Sequence, residues 1–188
     1  MSNNKIRFKK LQMKNWMSFD GHHIIEFPSN NGVILIRGEN GKGKTAIFNA
    51  IRWAWYGKIQ SNTSNRSIPI YKFINDNQKN SMNYEMYVSI EFDLEGKAYS
   101  LTRSVTLREK KQLTTDFHPT DKEFDIDLFL SIDNAQQSIG KQQTLNQLFP
   151  QEISQFFFFD GEELKNYEEL INNDTQMSIM IKNSIEKI

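Results

Sequence analysis

Residues 38–50 read GENGKGKTAIFNA. Gly38, Gly43, Lys44 and Thr45 fit the pattern G-x-x-x-x-G-K-[ST], and their surroundings decide what the pattern means. VILIR at 33–37 precedes it, a short continuous apolar run that suits a strand buried on both faces. Directly after it, Ile47, Ala50, Ile51, Ala54 and Trp55 recur at helical spacing, and Gly57 supplies a stop. In a strand, glycine-rich loop and helix of this kind, backbone N–H groups turn inward and the positive end of the helix faces an anion. The stretch therefore reads as a phosphate cradle built from Gly38, Glu39, Asn40, Gly41, Lys42, Gly43, Lys44, Thr45 and Ala46. The chemistry expected of it is ATP binding. The Lys44 ammonium would reach the β- and γ-phosphates, and the Thr45 hydroxyl would ligate Mg2+.

Working outward, the chain has 188 residues, 38% apolar and 24% charged, which is a globular composition. Lys plus Arg equals Asp plus Glu, at 23 each, so net charge argues for no polyanionic partner. No cysteine is present, which excludes disulfides and thiolate–metal sites. The opening MSNNKIRFKK has no apolar core of a secretory signal, and no apolar run approaches the roughly 20 residues that span a bilayer. The expectation is a cytoplasmic protein.

Strands are expected at 5–13, with a bulge where the alternation slips, and at 21–27 after a turn at Asp20–Gly21. Residues 58–83 read as a surface loop. The clearest hairpin follows. Met86, Val88, Ile90, Phe92 and Leu94 alternate with polar residues, Glu95–Gly96 turns, and Tyr99, Leu101, Arg103, Val105 and Leu107 return. FDIDLFLSI at 124–132 alternates as a further strand, and a short helix is expected at 142–149 before Pro150. From Glu162 the chain has no Gly or Pro. Met177, Ile181, Ile185 and Ile188 lie on one helical face, which reads as a packing seam for a partner helix, cut rather than finished.

FFFFDGEE at 156–163 is the second decisive stretch. Taken as plain structure, it is four core phenylalanines and an Asp160–Gly161 turn. Taken as a Walker B strand, it puts the Asp160 carboxylate in the Mg2+ shell, with a degenerate signature at Ser138-Ile139-Gly140-Lys141-Gln142. Gly161 then stands where the catalytic Glu belongs, Lys141 stands where the signature has glycine, and all three histidines (22, 23 and 118) precede Asp160.

A third reading comes from resemblance. GENGKGKT, the helix ending AWYG, the opening LQMKNWMSFDGHHIIEF with its turn at Asn15-Trp16-Met17-Ser18-Phe19, and the hairpin ending GKAYSLTR together resemble the N-terminal lobe of the SMC-like ABC ATPases. LFPQEISQFFFFDGEEL resembles their Q-loop, and its FFDGE form looks most like the DNA sulfur modification DndD type and its phage-defence relatives, within a group that also includes SbcC. The likeness covers nearly the whole chain. It implies an α/β P-loop fold with a mixed sheet and antiparallel hairpins: an ATPase head lobe at 1–165, then the helical start of a coiled coil at 166–188. It also implies that Asp160 does the Q-loop's work, binding Mg2+ or orienting the attacking water. The C-terminal lobe, on the same or a separate chain, would bring signature, Walker B, catalytic Glu and switch His. Two heads would dimerise on ATP, DNA would be bound by the full assembly, and the isolated chain would turn ATP over poorly. The alternatives are a non-catalytic, ATP-gated dimerisation module, a compact complete P-loop NTPase with FFFFD as Walker B, and a small phosphotransferase, for which no arginine-rich lid is visible.

Three weaker signals remain. Arg103 lies on the apolar face of its strand, where an arginine needs a partner. It could snorkel out at the strand end, or reach nucleotide, DNA or another lobe. Lys5, Arg7 and Lys9 share one strand face, either solvated or facing phosphates. His22 and His23 are adjacent on a strand and so point to opposite faces, which disfavours a shared metal ion.

Overall fold

The computed structural model describes residues 6–29, 34–39, 41–59, 67–108 and 119–150. Their frame is a six-stranded sheet in the order β2-β1-β3-β4-β5-β6. The strands are β1 (Arg7–Trp16), β2 (Phe19–Glu26), β3 (Met86–Leu94), β4 (Lys97–Leu107), β5 (Phe124–Ile132) and β6 (Ala135–Gln136). Every described pairing is antiparallel. Helices α1 (Lys44–Tyr56), α2 (Asp76–Asn80) and α3 (Lys141–Leu148) complete the elements, with short 3-10 turns at Ile70–Phe73 and Asp121–Glu123. The chain divides into two compact units, residues 1–142 and 143–188. The sheet, α1 and α2 belong to the first.

Alternation on β3 is complete: Met86, Val88, Ile90, Phe92 and Leu94 are buried and the residues between them are not. Helix α1 packs against that face, meeting β3, β1 and β4. Its small residues Ala46, Ala50 and Ala54 are buried, so its backbone can approach the sheet. Large aromatics fill the remaining volume. Trp16 lies 5.2 Å from Trp53 and 5.3 Å from Phe73, and Trp55 lies 5.0 Å from Phe92. Each such pair adds about 0.5–1.5 kcal/mol to the burial itself.

Several expectations hold. The 86–107 hairpin turns at Glu95–Gly96, the 124–132 strand is β5, and α3 begins one residue early. The β1 register slips between Phe8 and Lys10, which is the bulge expected there, and again between Lys14 and Trp16.

Others are corrected. The β1–β2 turn is at Met17–Ser18, so Asp20 and Gly21 lie inside β2. The described part of 58–83 is not a plain loop. It carries the 3-10 turn, α2 and a bridge between Trp16 and Ile74. The run 34–37 forms no strand, and its Ile34 and Leu35 are 49% and 66% exposed. A strand exists only where a neighbour completes its hydrogen bonds, and none of the described strands runs beside this one. Asn40, Lys5, Val33, His118, the FFFFDGEE stretch with Asp160, the apolar tail and the 165/166 boundary lie outside the described residues.

Candidate nucleotide site

The loop before α1 has the geometry its glycines imply. Gly41 and Gly43 have φ of 78° and 91°, and Gly43 is the N-cap of α1. At Gly43 the need is double, because a Cβ there would also come within 2.8 Å of Ser18 Oγ and 3.2 Å of the Phe19 ring. No side chain caps this end, and no acidic residue occupies its first turn. The helix's first intrahelical bond runs from Ile47 N–H to Gly43 O, at 3.2 Å. Lys42 N–H donates to Glu39 O at 3.3 Å, and the amides of the helix's first turn have no intrahelical acceptor, so they suit an anion. Lys44 Nζ donates to Gly38 O at 2.5 Å and Glu39 O at 2.7 Å, so the ammonium lies across the loop's own backbone. This donor set fits a triphosphate: left-handed glycines, an uncapped helix start, a lysine over the loop, and the Thr45 hydroxyl beside it. Ala46 is buried, and Glu39 and Thr45 are exposed.

The opposite end of the same helix is closed. Gly57, φ 73°, donates its N–H to Trp53 O at 2.7 Å. Arg103 does not snorkel. It is 6% exposed, and it donates from Nε to Ala54 O at 3.1 Å, and from one terminal nitrogen to Trp55 O at 3.4 Å and Gln142 Oε1 at 2.7 Å. Gln142 Nε2 also donates to Trp55 O, at 3.0 Å. The guanidinium thus neutralises the negative end of α1 and satisfies carbonyls that the helix leaves open. Burial pulls its pKa down to about 10, so it remains a cation at neutral pH. Gln142 came from the degenerate-signature reading, and here it is a bracket for this arginine. Lys141 Nζ donates to Leu128 O at 2.9 Å.

Three lysines of the basic first strand are paired at the surface. Lys9 meets Asp93 at 2.8 Å, Lys10 meets Glu91 at 3.6 Å, and Lys14 meets Glu85 at 3.5 Å. The His22 ring lies 5.9 Å from Tyr87, tilted by 53°, and His23 Nε2 lies 2.7 Å from Asp20 O. Among the described residues no cluster of three metal-ligating side chains forms, and no helix is long and apolar enough to cross a membrane.

Sequence reasoning missed four residues around the loop: Trp16, Ser18, Asn15 and Asn75. Trp16 Nε1 donates to Ala46 O in the first turn of α1 at 2.8 Å. The turn motif Asn15–Phe19 was visible, but its contact with Gly43 spans about 25 residues of chain and carries no local periodicity.

With this geometry in place, comparison with known proteins is informative. Residues 10–188 match the family described as AAA domain. The chain belongs to that family. The AAA domain match covers both the phosphate loop and the FFFFDGEE stretch, and it bears out the ATPase class expected from GENGKGKT. A further relative is the SbcC component of the nuclease SbcCD from Treponema pallidum (strain Nichols), 29% identical over 105 residues. The matched segment is 52% of this chain and 9% of that protein. The relative lies on the SbcC side of the SMC-like resemblance.

Proposed function

We propose that this AAA domain chain is the ATP-binding N-terminal lobe of an SMC-like ATPase head, with residues 1–165 as the lobe and 166–188 leading into a coiled coil. One observation carries the reading. The described part of the phosphate loop and the start of its helix have the geometry of a cradle, yet the apolar run entering the loop has no strand partner among the described residues and leaves Ile34 and Leu35 exposed. Phe48, on the same helix as the loop, is also 38% exposed. Apolar surface at the mouth of such a cradle is surface for a second lobe to cover.

In this reading the cradle from Gly38 to Ala46 binds the triphosphate of Mg-ATP, Lys44 neutralises the terminal phosphates, and Thr45 and Asp160 hold the metal. Turnover then requires a C-terminal lobe, from the same or another chain, and a second head joined on ATP binding. DNA as the substrate of the assembly is supported by the nuclease name of the Treponema relative. DNA modification or restriction-type phage defence is supported only by the resemblance of FFDGE, and a cytoplasmic setting by the lack of cysteine.

The test is a pair of measurements on the purified chain, Mg-ATP affinity and steady-state phosphate release, with Lys44→Ala as control. Binding without release, lost in the variant, is the expected result. Release on the order of 1 s⁻¹ contradicts the half-site and makes FFFFD a Walker B strand. Transfer of the γ-phosphate to a small acceptor would point to a phosphotransferase.

A further inference from the structure

The β1–β2 turn is more elaborately held than a connection of two residues needs. Asn15 and Met17 both take left-handed φ, 54° and 47°; asparagine adopts it readily, but methionine does so only where its surroundings support it. The surroundings here are specific. Asn15 is 2% exposed, donates Nδ2 to Glu85 O at 2.9 Å and accepts from Gly21 N–H at 3.2 Å. Asn75, 6% exposed, donates Nδ2 to Met17 O at 2.7 Å and its own N–H to Asn15 O at 2.9 Å. Met17 N–H donates to Phe73 O at 2.6 Å. Two buried amides therefore fix both left-handed residues. Between them, the Trp16 indole binds Ala46 O, and just beyond, Ser18 and Phe19 occupy the space that a Cβ on Gly43 would need.

We infer that this latched turn is a positioning device for the phosphate loop, with Trp16 as its central positioning residue. A glycine-rich loop is soft, and its amides bind phosphate well only when already aimed inward. The Trp16 N–H holds the first turn of α1, one residue after Thr45, from outside the cradle. Ser18 and Phe19 leave no room for a side chain at Gly43, which keeps that position a glycine beside the turn. Asn15 and Asn75 keep the turn from relaxing to ordinary φ values. The ligand served is the nucleoside triphosphate, so the inference rests on the ATP-binding reading above.

Three variants test it in the full 188-residue chain, each read for thermal midpoint and, well below that midpoint, for Mg-ATP affinity by calorimetry. Trp16→Phe keeps an aromatic ring beside Trp53 and Phe73 and deletes the N–H donor, at the cost of a cavity whose effect the thermal midpoint reports. Met17→Gly keeps the fold whatever Trp16→Phe does, because glycine takes a φ of 47° without strain, while it frees the turn. Leu130→Ala empties core on β5 away from the loop and serves as the stability control. The expected result is an affinity loss of about three- to tenfold in Trp16→Phe, the worth of one hydrogen bond, and a smaller loss in Met17→Gly. Leu130→Ala should melt earlier and bind as the parent does. Unchanged affinity in both turn variants overturns the inference, as does an equal loss in Leu130→Ala. If the parent chain binds Mg-ATP no better than Lys44→Ala, the nucleotide reading fails and the inference falls with it. If the parent binds and the turn variants match it, the inference fails alone.

Discussion

The two ends of α1 are built in opposite ways. At Tyr56 the helix stops against a glycine, a buried guanidinium and a glutamine amide, which engage the carbonyls of Trp53, Ala54 and Trp55. At Lys44 it starts from a left-handed glycine with no side-chain cap and no acid in its first turn. Capping residues and first-turn acids are the usual devices for stabilising a helix start, and this one does without them. The difference teaches where the fold spends its polar groups. The end that serves structure is satisfied internally. The end proposed to bind nucleotide is left to be satisfied from outside, and only its backbone path is held, by Trp16 and the turn behind it.

Breaking the open end should cost binding and almost no stability. Lys44→Ala is predicted to weaken Mg-ATP by at least about thirtyfold, the cost of removing one partner of a charge-assisted contact, with the thermal midpoint unmoved. Breaking the closed end should do the reverse. Arg103→Ala is predicted to cost about 2–4 kcal/mol of stability, from lost packing and from carbonyls left without a donor. Chemical denaturation measures this, and Mg-ATP affinity should stay within about threefold of the parent as long as the chain is folded.

A finer version of the same contrast uses Gly57. A Cβ there would come within 2.9 Å of an Arg103 terminal nitrogen, at a φ of 73°. Gly57→Ala is predicted to cost about 1–3 kcal/mol. In the Arg103→Ala background the steric part disappears, leaving about 1 kcal/mol of backbone strain, so a double-mutant cycle should show coupling between the two sites.

The smallest predicted effect lies near the open end. The side-chain amides of Asn77 and then Gln78 hold the Asp20 carboxyl below its ordinary pKa. A carboxyl lowered in this way adds stability above its unfolded pKa of about 3.9 and loses it as the pH falls through the folded value. Asp20→Asn should therefore melt slightly below the parent at neutral pH. That gap should close as the pH falls through the lowered folded value.

Where a signal was local, the sequence was enough. The phosphate loop, the 86–107 hairpin, β5 and α3 each follow from spacing or turn chemistry within a dozen or so residues. Arg103 was legible as an arginine on a buried face, but its acceptors, Ala54 and Trp55, lie 49 and 48 residues away, and only the fold brings them there. The turn at 17–18 was misplaced because Asp20–Gly21 offers the better turn dipeptide; Gly21 does take a left-handed φ of 72°, but inside β2, and the connection itself uses Asn15 and Met17, held by buried amides. Helix α2 was invisible for a related reason: an asparagine N-cap and polar contacts hold its DNQKN, not an apolar face. VILIR misled in the other direction. Its composition announces a buried strand, but a strand also needs a neighbour, and apolar content does not say where that neighbour comes from.

The most direct measurement is amide hydrogen exchange along α1, with and without Mg-ATP. The predicted result is slow exchange at 54–57 in both states and strong new protection at 41–46 when the nucleotide binds, as previously free amides gain acceptors. Protection at 41–46 that does not change, or a response confined to 54–57, would contradict the assignment of the open end of α1 as the nucleotide site.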